Sequence, residues 1–337
     1  MIKRLGDSTI RFEKEPSIVG FASVVGKKEA EGPLKDDFDK IIYDMHLGQD
    51  TWEKAESVLQ KEALSIALTK SKKDARDIDF IFAGDLLNQC ISSSYGLKDF
   101  NIPYLGQYGA CSTMVQGLVM AAVMVASGAS HMSACVTSSH FCSAERQYRF
   151  PLDYGGQRPQ SSQWTVTGAG CCILSDSEEK SLPKVKVATV GRIVDLGVND
   201  QNNMGAAMAP AATDTLMRFF RDTKTSPSDY DMIYTGDLGK IGSELLYELM
   251  QKEGVDIRHN HKDCGVMIFD KKEMDVHSGG SGCGCCSSVL CSHILNNVTA
   301  RKQKSVLVIA TGALLSPTSI QQKETIPSIA HLVNIIA

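Results

Sequence analysis

The sequence lacks the marks of several large protein classes. No stretch packs lysine and arginine densely, and the formal net charge over 337 residues is -4. That argues against a nucleic-acid footprint, and no nucleic-acid partner is expected. The longest apolar run, residues 118–126, breaks at Ser127-Gly128. It falls far short of the ~20 residues a bilayer-spanning helix needs, so no transmembrane segment is expected. Peripheral attachment to a membrane stays compatible with this. The opening MIKRLGDSTIRF is basic but holds no apolar stretch, and no secretory signal is expected. Low-complexity segments and long flexible linkers are missing, and so is the G-x-G-x-x-G spacing of phosphate-cradling loops.

Cysteine, by contrast, is abundant, with eleven: Cys90, Cys111, Cys135, Cys142, Cys171, Cys172, Cys264, Cys283, Cys285, Cys286 and Cys291. Most sit among Ala, Gly, Ser and Val, where a thiol behaves as a small buried hydrophobe. With no secretory signal and ample chain for a core, disulfides are not expected. Cys283 and Cys286 form a C-x-x-C with His293 further on. A structural zinc site normally takes four ligands from two such pairs, so no metal site is expected. Hydrophobic residues at 43% and charged residues at 22% suit a globular protein of one large or two medium domains.

The chain repeats itself. Residues 77–86 read DIDFIFAGDL and residues 229–238 read DYDMIYTGDL, an offset of 152 with six of ten positions identical. The offset extends backwards without a gap: Ala55 falls on Ala207, Leu64 on Leu216 and Leu68 on Phe220. Ala55, Val58, Leu59, Ala63 and Ile66 predict a helix over 52–70, and Ala207, Ala211, Leu216 and Phe220 predict one over 206–221. Residues 80–82 and 232–234 are short apolar runs, as in strands covered on both faces. Later elements pair too. Gly/Cys turns at 109–111 and 282–284 precede small-residue helices at 114–126 and 287–297, then buried strands at 133–137 and 305–310. This order predicts two α/β units, 1–182 and 183–337, on a mostly parallel layered sheet.

Cys111 has two readings. At the start of a helix, its sulfur lies near unsatisfied N–H groups that favour a thiolate, the state of a catalytic nucleophile. Equally, a tight helix–strand contact demands a small residue. His140, just after a strand, and His277, before the second turn, are the candidate bases. Asp85 and Asp237 end equivalent strands, where ligands bind in open sheets, or else they cap turns. The 140–158 segment, with Arg146, Arg149 and Arg158, reads as a functional loop whose arginines suit carboxylates, or as a solvated excursion or dimer contact.

Together, the two similar halves, the cysteine elbow, the glycine-rich turn and the strand end ATGA (310–313) resemble the thiolase superfamily. Condensing enzymes of the ketoacyl synthase III type are the enzymatic relatives that come nearest. More specifically, the chain resembles the stage V sporulation protein AD family. The strings that carry this are AGDLLNQ (83–89), GACST (109–113), TSSH (137–140), AERQYR (144–149), YGGQRP (154–159), AMAPAATDT (207–215), TGDL (235–238), GGSGC (279–283), ATGALLSPT (310–318) and QQKETIPSIAH (321–331).

The resemblance implies a thiolase-like α/β fold, with pseudo-symmetric halves in a layered αβαβα arrangement. It implies a place in the apparatus that moves dipicolinic acid, as its calcium chelate, into the developing spore. Binding of that ligand, peripheral association with the spore inner membrane and with other proteins of the apparatus, and a homodimer paired through the first halves are implied too. No cofactor is implied beyond calcium carried by the ligand. Condensing enzymes use a Cys-His-Asn set, and Cys111 matches its cysteine. Thr235-Gly236-Asp237 stands where the histidine should be, and Gly279-Gly280-Ser281 where the asparagine should be. The second cysteine of thiolases proper is missing from Thr311-Gly312-Ala313.

The expected protein is therefore a non-catalytic binder. Its pocket is floored by Cys111 and lined by Asp85, Asn88, His140, Glu145, Arg146, Asp237 and the backbone of Gly280 and Gly282. Arg146 or backbone N–H groups would take a carboxylate. The alternatives are an acyltransferase using Cys111 with His140 or His277 as base, and a scaffold whose surface alone matters.

Overall fold

The computed structural model describes residues 2–148, 157–269 and 274–337. Among the described residues, ten strands form the main path of the sheets. The first five are β1 (Ser17–Val25), β2 (Phe80–Gly84), β3 (Tyr104–Gly106), β4 (Met132–Ser139) and β5 (Gly168–Ser175), in the spatial order β3-β2-β4-β5-β1. The second five are β6 (Lys184–Thr189), β7 (Met232–Thr235), β8 (His261–Asp263), β9 (Ser305–Ala313) and β10 (Ser328–Ile336), in the equivalent order β8-β7-β9-β10-β6. The two sheets meet edge to edge at the antiparallel pair Ser17 and Lys184.

Within each sheet the strands are evenly mixed rather than mostly parallel. β2 and β7 are parallel to both neighbours. β5 and β10 are antiparallel to both of theirs. A helix still follows β4 and β9, at Phe141–Tyr148 and Pro317–Gln321, but the strand after it returns antiparallel beside the one it left, which strand–helix alternation alone does not foretell.

The principal helices are α1 (Trp52–Ser71), α2 (Thr113–Ala126), α3 (Phe141–Tyr148), α4 (Met204–Thr223), α5 (Gly239–Lys252) and α6 (Cys283–Val289). α6 runs on through a π-helical turn, Leu290–Ile294, into Leu295–Thr299. α1 packs on β1, β4 and β5, and α4 on β6, β9 and β10. α2 packs on β2 and β4 of its own sheet and on β9 and β10 of the other, while α6 packs on β1, β4 and β5. The result is five layers, helix–sheet–helix–sheet–helix.

Side-chain alternation shows why both faces of each sheet are covered. In β9, Val306, Val308 and Ala310 face the central helices, whereas Leu307 and Ile309 face α4. In β5, Cys172 and Leu174 face inward, and Ala169, Cys171 and Ile173 face α1. All but one of the cysteines are buried, Cys142 being partly exposed. The 141–148 stretch, read from sequence as loop, is the helix α3. Its polarity hides a buried side made of Ser143, Ala144 and Glu145. Arg149 lies outside the described residues. Among those residues no helix is long and apolar enough to cross a membrane.

Candidate functional site

The two Gly/Cys turns converge at the N-termini of the central helices. Cys111 lies in the turn Ala110–Ser112 that opens α2, and Ala110 takes a left-handed φ of 52°, uncommon for a residue with a Cβ. Opposite it, Gly282 opens α6 with φ 105° and ψ 164°, a region essentially confined to glycine. A Cβ on Gly282 would lie 2.6 Å from Ser139 Oγ. The thiol of Cys283 donates to the Ala110 carbonyl at 3.0 Å, which ties the turns together.

Between the turns lies a polar relay. Cys111 Sγ is 3.7 Å from Ser281 Oγ, and Ser281 donates to Asp237 Oδ2 at 2.7 Å. Asp237 also accepts from Thr311 Oγ1 at 2.7 Å and from the Gly282 N–H at 3.2 Å. The Cys111 thiol also interacts directly with the Asp237 carboxyl. Burial, and after it the negative charge of Asp237, hold the Cys111 thiol well above its ordinary range. The helix N-terminus favours a thiolate, but desolvation and the adjacent acid win. Burial also raises the Asp237 carboxyl. Asp237 and Ser281 thus fill the positions where the resemblance puts histidine and asparagine. In place of a cationic imidazole they offer an acid, which disfavours the nucleophilic form.

An inner cavity of about 70 Å³ touches Cys111, Ser281, Gly282, Glu145, Tyr148 and Met204. Asn88 and Arg146 lie outside it. They line a separate outer cavity of about 340 Å³ with Glu53, Lys54, Tyr95 and Gln147. α3 and the turn after β2 form the wall between the two. Leu86, Ala144, Glu145 and Tyr148 face inward, whereas Leu87, Asn88, Arg146 and Gln147 face outward. Of the predicted site residues, the structure gathers Cys111, Glu145 and Gly282 in the inner cavity, with Asp237 behind Ser281.

The remaining predicted residues are supports. His140 is buried, and its ring is fully engaged. Nε2 meets the Met45 carbonyl at 2.9 Å, and Nδ1 accepts from the Cys142 N–H at 3.1 Å. That fixes a neutral tautomer, and burial lowers its pKa. His277 is 3.1 Å from Asp275. Neither histidine contacts Cys111. Gly280 pairs with Trp164 in a two-stranded ribbon, and its carbonyl accepts from Gln163 Nε2 at 3.0 Å. Asp85 closes its own turn, accepting from Leu87 N–H, Ser93 N–H and Ser93 Oγ. Among the described residues no group of three or more His, Cys, Asp or Glu side chains is placed to hold a metal.

Two features of the site escaped the sequence reading. Ser281 was passed over as part of a glycine turn, although it is a hydrogen-bonding side chain at a position implied to be functional. Glu56 is the other. It is fully buried, accepts from Ser138 Oγ at 2.9 Å and Ser143 Oγ at 2.6 Å, and is raised to about 8 by burial and then by the charge of Asp85. Gln60 Nε2, one turn on, bridges to Ser138 Oγ, Ser93 Oγ and the Gly84 carbonyl. The signal was available as Glu56 and Gln60 at i, i+4 beside the apolar stripe of α1.

Solved structures share this architecture. An OleA variant of Xanthomonas campestris aligns with a TM-score of 0.63 at 14% identity, covering 97% of this chain and 99% of that one. The 3-oxoacyl-[acyl-carrier-protein] synthase III of Aquifex aeolicus aligns at 0.58 and 11% identity, covering 96% and 100%. These likenesses establish a thiolase-like fold. The stage V sporulation protein AD of Bacillus subtilis is 42% identical over 330 residues, covering 98% of this chain and 97% of that protein. The family model for stage V sporulation protein AD matches residues 6–336. The chain is a member of the stage V sporulation protein AD family.

Proposed function

We propose that the protein is a non-condensing member of the thiolase-like fold that binds dipicolinic acid, free or as its calcium chelate, during spore formation. The observation that carries this reading is the Cys111–Ser281–Asp237 relay. Condensation needs an activated thiolate, and an acid set behind a buried thiol holds it protonated. On this reading the cavities around α3 are kept and the activation of the thiol is lost. In this reading the protein works at the forespore inner membrane as a peripheral component beside other proteins of the transport apparatus.

A homodimer through the first half fits the sheet edge. β3 is exposed along its length, and Tyr104, Leu105 and Tyr108 stand in solvent at 40%, 45% and 53% exposure. An unpaired apolar edge of this kind pairs readily with a second copy.

The test is calorimetric titration of dipicolinate, with and without calcium, into the full chain. Saturable binding is expected, and its absence in both conditions sinks the reading. Incubation with acyl-CoA, followed by intact-mass measurement, separates the enzymatic alternative. No adduct is expected, and an acyl adduct lost in Cys111→Ser would establish a nucleophilic cysteine instead.

A further inference from the structure

We infer that Asp263 is the residue that positions Asp237: by holding the turn after β7, it frees Asp237 to reach Cys111. This deepens the account of the Cys111–Ser281–Asp237 relay given above and rests on it.

The two halves hold the same turn in different ways. At the offset of 152, Asp85 falls on Asp237 and Leu87 on Gly239. In the first half Asp85 does the local work itself. Its Oδ1 accepts from the Leu87 N–H at 2.9 Å, and its Oδ2 from the Ser93 N–H at 2.8 Å. The neighbouring strand offers no substitute, because Ala83 of β2 lies opposite Gly106 of β3. Thr235 of β7, the equivalent of Ala83, lies opposite Asp263 of β8. Here the neighbouring strand brings the carboxylate. Asp263 Oδ1 accepts from the Gly239 N–H at 2.9 Å, the bond that Asp85 makes to Leu87, and Oδ2 accepts from the Leu238 N–H at 2.8 Å. With its turn already held, Asp237 turns both oxygens away from it, Oδ1 to Thr311 and Oδ2 to Ser281 and the Gly282 N–H.

Asp263 is itself fixed from behind. It is buried and accepts further from the Val266 N–H at 3.1 Å and from Thr235 Oγ1 at 2.7 Å. Both of its oxygens therefore accept from N–H groups. That suits a carboxylate and not an amide, whose NH2 would face an N–H donor. The single hydroxyl hydrogen of Thr235 goes to Asp263, so its oxygen accepts from His261 Nε2 at 2.9 Å. His261 Nδ1 then accepts from the Tyr247 hydroxyl at 2.8 Å. Burial pushes His261 down to about 4, which keeps the ring neutral and the order of donors intact. The chain Tyr247–His261–Thr235–Asp263 thus runs from the half-buried side of α5 to the turn behind the thiol.

The experiment is alkylation of the full chain by iodoacetamide over a pH series, with Cys111 followed by peptide mass spectrometry and folding checked by circular dichroism. The groups that act on the Cys111 thiol are Asp237, Cys283 and Ser281, with Cys285 nearby and Glu145 in the same cavity. Of these, Asp237 alone sits on the turn that Asp263 holds. In the wild type, alkylation should rise only above the ordinary thiol midpoint of about 8.5. Asp237→Asn should lower the midpoint by about one pH unit, or about tenfold in rate at a fixed pH below it. Asp263→Asn should lower it too, and the double variant should go no further than Asp237→Asn alone. Thr235→Val should give a smaller drop, and Thr235→Ser, which keeps the hydroxyl, should restore the wild-type midpoint. A wild-type midpoint at or below about 8.5 overturns the account of the relay itself. A high midpoint that falls in Asp237→Asn but not in folded Asp263→Asn, or drops that add in the double variant, overturn the positioning role and leave the relay standing. If Asp263→Asn fails to fold, Thr235→Val against Thr235→Ser decides: equal midpoints in the two overturn the positioning role.

Discussion

Residues 51–85 and 203–237 are one piece of chain used twice, and the match reaches the helix caps. Thr51 and Asn203 cap α1 and α4 by accepting from the N–H of Lys54 and Ala206. Lys72 and Lys224 end those helices with the same left-handed φ of 55°. Capping boxes follow at Asp74/Asp77 and Ser226/Asp229. Asp79 and Asp231 then receive N–H groups from the start of the neighbouring strand. The match ends at the strand tips. Asp85 bends back to hold its own turn, whereas Asp237 reaches across to β9 and the α6 turn. Local sequence dictates an element and its ends. What the last side chain does is decided by the distant chain that returns against it.

The elbows offer the sharpest test of this contrast. Gly282→Ala forces a Cβ into a glycine-only conformation and against Ser139, so a loss of about 3 kcal/mol is expected in urea unfolding. Ala110→Gly, at the matching turn, relaxes a left-handed alanine while loosening the unfolded chain, so a change within about 1 kcal/mol is expected. Equal costs at the two turns would break the asymmetry.

The buried acids come next. Asp263 accepts from Thr235, Leu238, Gly239 and Val266 and is raised by burial to about 6. Glu56 accepts from two serines and is raised from 4.5 to about 8. A carboxyl raised by folding stabilises the chain in its protonated form. The Glu56 contribution is therefore full below about pH 4.5 and is lost as pH climbs towards 8, an effect of order a few kcal/mol. Glu56→Gln should flatten that decline in pH-dependent melting, and an unchanged profile would remove Glu56 from the account.

The smallest effect on folding concerns the edges. β8 carries an exposed Lys262 between buried neighbours, a charge of the kind that blunts edge pairing. β3 has none. The homodimer proposed above should dissociate to monomer in Leu105→Lys, read by sedimentation velocity, while stability moves by less than about 0.5 kcal/mol. A dimer that survives it would shift the pairing surface elsewhere.

Much of the fold was legible because its signals are local. The repeat, the apolar spacing of α1 and α4, and the small-residue helices after the Gly/Cys turns each depend on neighbours in sequence. β5 and β10, with their antiparallel direction, were not, because pairing direction belongs to the returning chain. The site was legible in part. Cys111, Glu145 and Gly282 share a cavity because they sit at element ends that the topology brings together. Asn88 and Arg146 face the other way because rotation along α3 and the turn after β2 decides the side, and one residue separates inward Glu145 from outward Arg146. His140 carries the composition of a catalytic base and the contacts of a structural post.

α2 is covered on one side by its own sheet and on the other by β9 and β10, and Met114, Val115, Leu118, Ala121 and Ala122 are all sealed in that shared interior. A half-length chain of this design would leave that helix bare on one flank. It could persist only by clasping a second copy of itself. The seam that runs through the middle of one polypeptide is thus built like a subunit contact, because α2 is fully covered only when both halves are present.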